Sequence, residues 1–223
     1  MSSLFKKDKT IPQPTMRDTL FGDESLEKVA TYSKKPDDTS CWSHFAIAQQ
    51  KVKESNVSEA IHELNKVLDI AGLESRVYLQ AWHCLRVLGQ RPPAETASQI
   101  KGVVVEVALD KGLDLVSAYS DHSARYYNFG GAGVVWDASD PNIEKIIDEL
   151  LAAGQVIINN IGLWEKPRPP APPKGSVRIN LLTYGGLYFG QGEFEALAKD
   201  KLGGTTLKLA TSLMQALIAK TTA

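Results

Sequence analysis

Four short β-rich segments follow one another between residues 102 and 137, GVVVEVAL, LDLVSAYS, ARYYNF and AGVVWD, joined only by DKG, DHS and GG. Links this short leave no room for a crossover, so neighbouring strands must run antiparallel. Such a meander has to bury at least one face, and the cover follows directly in the sequence. A helix is predicted from about Pro141 to Ile161. Asp140 or Ser139 caps it, Pro141 suits its first turn, and Ile143, Ile146, Ile147, Leu150, Ile157 and Ile161 form its inner side. SVRINLLT and GLYFGQ then make a hairpin turned by Tyr184, Gly185 and Gly186. A last helix, about Thr205 to Lys220, turns Leu207, Ala210, Leu213, Met214, Leu217 and Ile218 inward. Residues 101–223 therefore read β-β-β-β-α-β-β-α, an antiparallel sheet packed with helices, and the expected class is α+β.

Residues 39–100 carry the helical period instead and form a predicted subdomain of three helices. Trp42, Phe45, Ala46 and Gln49 follow Thr39 and Ser40 at helical spacing. Ala60, Ile61, Leu64, Val67 and Leu68 share one face of a second helix that ends at Gly72. A third, about Glu74 to Leu88, turns Val77, Ala81, Trp82, Leu85 and Leu88 inward until Gly89, Pro92 and Pro93 stop it. The first two helices meet through a short turn at Glu54 to Val57, and the second opens with EAI. Over residues ~40–72 they resemble a single tetratricopeptide helical hairpin, with Ala60 at the repeat's small position and Ile47, Ala48 and Leu64 in register. The order of the C-terminal half resembles that of profilin-like and roadblock-like domains. The chain as a whole resembles members of an uncharacterised bacterial protein family of unassigned activity, which transfers no functional residues.

Residues 1–38 are polar, and the sequence predicts an N-terminal arm or a segment lying over the surface. MRDTLFGD interrupts it with an apolar trio, Met16, Leu20 and Phe21, spaced for one side of a helical turn. That turn is expected to dock on the chain itself, where effective concentration is high, or on a partner. The run PRPPAPP favours extended polyproline II, serving as a spacer or, through Pro167, Pro169 and Pro170, as a ligand for an aromatic groove.

Chemistry is constrained mostly by exclusion. With 25 basic and 26 acidic residues, no overall field draws the chain to nucleic acid. Neither a secretory pattern nor an apolar run long enough to span a bilayer is found, so a cytoplasmic protein without membrane insertion is expected. Gly131 and Gly133 begin a dinucleotide-type loop, but Trp136 takes its third glycine position and a β-rich run follows, which points to a turn. Cys41, His44, His83 and Cys84 form the best metal set. His83 and Cys84, however, are adjacent and diverge by about 100° on a helix, and neither metal nor cofactor is expected.

These features together suggest a protein-interaction module, an adaptor or regulatory subunit, that engages a protein partner through Met16, Leu20, Phe21, Pro167, Pro169 and Pro170. Assembly as a homo-oligomer is compatible with the sequence. One alternative is a small-molecule binding or sensing domain with a pocket between sheet and long helix lined by Tyr119, Tyr127 and Trp136. Another is an enzyme in which His122 acts as base and Arg125 clamps an anion.

Overall fold

The computed structural model describes residues 15–33 and 39–221, the side chain of Thr221 excepted. Its centre is one six-stranded sheet, β1 (Ile100–Leu109), β2 (Gly112–Tyr119), β3 (Ala124–Tyr127), β4 (Gly133–Trp136), β5 (Ser176–Thr183) and β6 (Gly186–Glu193), in the order β4-β3-β2-β1-β5-β6. Every neighbouring pair is antiparallel. Eight α-helices accompany it among the described residues, and the fold is α+β.

Strand alternation sorts the sheet residues into two faces. Val103, Val105, Val116, Ala118, Val177, Ile179 and Leu181 point to the first, where α6 (Pro141–Ile158) and α8 (Gly203–Thr221) cover them with Ile143, Ile147, Leu150, Leu207, Leu213 and Leu217. Each such aliphatic side chain, fully withdrawn from water, contributes roughly 1.5–3 kcal/mol. The start of α6 follows the sequence: the Asp140 carboxylate accepts from the main-chain N–H of Asn142 and Ile143 ahead of a first-turn proline. Gly154 lets the helix lie close to the sheet, since a Cβ there would come 2.5 Å from the Ile100 side chain. α7 (Phe194–Lys199) bridges β6 to α8.

The helical layer comprises α1 (Leu26–Val29), α2 (Cys41–Lys53), α3 (Val57–Asp69), α4 (Ser75–Val87) and the short α5 (Ala94–Ala97). Phe45, Ala48, Ala60, Leu64, Val67, Ala81 and Leu85 form its core, and Val29 of α1 joins them. α4 also lies on the second face of the sheet, where Leu79 packs with Val104, Leu115, Tyr119 and Leu182, and Trp82 stacks at 6.0 Å on Tyr184. The α4 N-terminus is fixed from a distance, because the Asp121 carboxylate accepts from Ser75 N–H at 2.6 Å. Asp121 thus acts as a remote cap, which accounts for part of the Asp-His-Ser turn.

Residues 15–33, expected as an arm or surface segment, enter the interior: a 3-10 turn (Asp18–Leu20), α1 and a second 3-10 turn (Ala30–Tyr32) bring Leu20, Phe21 and Val29 into the core. Residues 1–14 and 34–38 of the same arm lie outside the described residues. No helix among the described residues is long and apolar enough to cross a membrane.

Candidate functional site

The second face of the sheet is unusually polar for a covered surface. Cross-strand register sets Glu106 beside Arg178, Arg178 beside Gln191, Val104 beside Asn180 and Ser117, and Ser117 beside Arg125. Glu106, Ser117, Arg125, Arg178 and Asn180 are all buried there. A carboxylate taken out of water must be compensated by charge and hydrogen bonds. Arg17 donates to Glu106 through Nε and, at 3.3 Å, through Nη2; Asn180 Nδ2 donates at 3.0 Å and Arg178 Nη1 at 3.4 Å. Arg178 also donates to Gln191 Oε1 at 2.9 and 2.5 Å and to the Pro170 carbonyl at 2.6 Å.

Residues 15–24 run across this face as a docked peptide. Three side chains of the body hold its main chain. Arg76 Nη1 donates to the Thr19 carbonyl at 2.7 Å and Tyr119 Oη to the Leu20 carbonyl at 2.7 Å. Gln80 accepts from Glu24 N–H at 3.0 Å and donates to the Glu24 carbonyl at 2.8 Å. Leu20 and Phe21 fill the apolar part of the face, with Leu79, Leu115, Tyr119 and Leu182 around them. Gly22 has φ +60°, and a Cβ on it would meet the Arg76 carbonyl at 2.7 Å, so both conformation and space require glycine.

A second clasp comes from the proline run. Arg168 lies 4.1 Å over the Phe21 ring and donates to Asp23 at 2.7 and 3.2 Å and to Asp18 at 3.0 Å. Burial pushes the Asp18 carboxyl up, but bonds from Thr15 and Arg168 outweigh it and hold it below its ordinary value. The Pro169 carbonyl accepts from Arg17 Nη2 at 3.0 Å.

The structure therefore places Leu20 and Phe21 inside the chain, with Met16 exposed beside them. Pro169 and Pro170 offer their carbonyls to Arg17 and Arg178, and Pro167 accepts from Trp164 Nε1 at 3.0 Å. Other candidates are not brought together. His122 leaves the β2–β3 turn towards α6, with Nε2 2.9 Å from Asp148 Oδ1, whereas Arg125 points to the opposite face and reaches Glu74 at 3.4 Å. Parity separates them, and they share no site. Tyr119 and Tyr127 likewise belong to the second face and Trp136 to the first, so the three do not line one pocket. The space between sheet and α6 is filled by aliphatic side chains.

His44 bonds Glu63 at 2.9 Å, and Cys84 accepts from Gln80 at 3.3 Å. Burial pushes the Cys84 thiol up to about 11, which leaves it an inert core group. Among the described residues no group of three or more His, Cys, Asp and Glu side chains is placed to hold a metal ion. The GG stretch is a turn in which Asn128 Oδ1 accepts from Gly130 and Ala132 N–H and Gly131 has φ +87°.

The sequence motifs point to none of the residues that make the polar face, Glu106, Arg178 and Asn180. A signal does exist: Arg178 and Asn180 share parity within an otherwise apolar strand, as Glu106 does within VVVEVAL. No protein-family model, no curated protein and no solved structure matches the chain.

Proposed function

We propose that the protein is a cytoplasmic protein-interaction module, of adaptor or regulatory type, whose polar sheet face recognises an extended peptide and whose residues 15–24 are its resident ligand. The supporting observation is the way that segment is held. Peptide grooves obtain affinity from main-chain hydrogen bonds and selectivity from side-chain sites. Arg76, Tyr119 and Gln80 supply the first, while the Leu20–Phe21 pocket, the Glu106 seat for Arg17 and the Arg168 seat for Asp18 and Asp23 supply the second.

A partner segment with a basic residue, a Leu-Phe-Gly step and an acidic residue at the spacing of Arg17 to Asp23 matches the same seats. Tethering gives the resident segment an effective concentration of about millimolar, so it wins against a weak free competitor. The test uses a fluorescent synthetic peptide of residues 15–25 and the full chain. The Arg17→Ala/Phe21→Ala protein, confirmed as folded by circular dichroism, binds the peptide in polarisation assays, and the unaltered protein binds it far more weakly. Arg17→Ala alone keeps the core volume and falls between them. If both variants are folded and neither takes up the peptide at millimolar concentration, the groove does not recognise peptides in trans.

A further inference from the structure

We propose that a second cleft, adjoining the clasp at Asp23 and Arg168 and bounded by the C-terminal end of α4, the segment around Trp164 and the β5–β6 turn, binds a small organic molecule that bears phosphate. The cleft measures about 890 Å³, and its walls include His83, Arg86, Arg91, Trp164, Lys166 and Arg168. This exceeds what an inorganic ion needs and matches a ligand the size of a nucleotide.

The charge balance points to an anion. Four Lys and Arg side chains line the cleft against two carboxylates, Asp23 and Glu165. Asp23 is already bound to Arg168, which Asp18 neutralises further. Arg168 with its two carboxylates is left with one negative charge, and Asp23 attracts Arg86 as well. With Glu165 counted, four cations meet three carboxylates, and Arg86, Arg91 and Lys166 form no ion pair of their own with a carboxylate among the described residues. Arg86 donates to a neutral acceptor, the Tyr184 carbonyl, and Lys166 lies 5.6 Å over the Trp164 ring. Burial first, and then the like charge of Arg91, lower the Arg86 pKa to about 10. A cation held in low dielectric beside a second cation is relieved by a bound anion, and guanidinium forks match phosphate oxygens in pairs. Val87, Leu163 and the Trp164 ring supply an apolar wall that an inorganic ion leaves unused.

The experiment is calorimetric titration of the full chain with inorganic pyrophosphate and with ADP at low salt. ADP is expected to bind one equivalent and more tightly than pyrophosphate. Arg91→Ala removes an exposed side chain that makes no hydrogen bond among the described residues, so it leaves the fold intact and weakens both ligands about tenfold. Lys166→Ala acts in the same direction, and Trp164→Ala reduces the advantage of ADP. Absence of binding by either compound at millimolar concentration overturns the proposal, as does binding unchanged in the Arg91→Ala and Lys166→Ala proteins. ADP binding no tighter than pyrophosphate overturns the organic part. Arg91 and Lys166 make no hydrogen bond to residues 15–24, and Asp23 and Arg168, which the two sites share, are unaltered in these variants. Loss of ADP binding in Arg91→Ala with peptide uptake unchanged therefore separates this outcome from peptide recognition.

Discussion

Tyr119 donates its hydroxyl to the main-chain carbonyl of Leu20 at 2.7 Å, joining positions 99 residues apart in a fully buried setting. Burial pushes the phenol up to about 12, so it remains a donor throughout the ordinary pH range. Tyr119→Phe keeps the ring and strands the carbonyl. The expected cost is about 1–3 kcal/mol. Calorimetry should show a fall in Tm of roughly 2–4 °C per kcal/mol for a chain of this size. An unchanged Tm would mean that the carbonyl finds another donor.

Leu20 is fully buried and Phe21 nearly so, and their neighbours come from α4 and three strands. Leu20→Ala is expected to cost about 2–5 kcal/mol and Phe21→Ala about 3–5 kcal/mol, from lost transfer energy and the cavity left behind. Urea denaturation measures both. Stability that held in the double variant would show that the segment only rests on the surface.

Glu106 collects Arg17 and Arg178 in a site closed to solvent. Glu106→Gln leaves two guanidinium groups without a counter-charge, and a loss of about 3–5 kcal/mol is expected. Arg17→Ala and Glu106→Gln should be strongly non-additive in a double-mutant cycle, because each removes the other's partner. Additive effects would mean that the two residues do not interact in solution.

His83 faces Asp23, Arg86 and Arg168, and burial lowers its pKa below the ordinary value of 6.5 despite the attraction of Asp23. The unfolded chain therefore takes up a proton that the folded chain refuses. The His83 contribution is complete above pH 6.5 and is lost as pH falls through the depressed folded value. His83→Gln should flatten the decline of Tm over that acidic window. A decline of equal slope in the variant would place the titration elsewhere.

How much of this was legible depended on the distance over which each feature is decided. The strands around DKG and DHS, and the start of α6 at Asp140 and Pro141, are fixed by neighbours a few residues apart, and period and cap chemistry expose them. The destination of Arg17 is decided by Glu106, 89 positions later, and no local pattern encodes it. A polar face also misleads, since alternation of Val with Glu or Arg in a strand ordinarily marks the solvent side. Short elements such as α1, α5 and α7 span fewer than two helical turns, too few for an apolar spacing to repeat. His122 and Arg125, three apart in sequence, diverge because the turn and the strand parity intervene.

The clasp on residues 15–24 also sets an order of events during synthesis. Asp18 cannot meet Arg168 until the ribosome has added 150 further residues. At about 10 residues per second that delay is on the order of 15 s. Throughout it the seat of the Leu20–Phe21 pair is incomplete, because Leu182 follows Arg168 in the chain, and the pair is open to whatever binds nascent apolar segments. The first described part of the chain to emerge is thus among the last to settle, and closing it records that β1, β5 and the proline run are all in place.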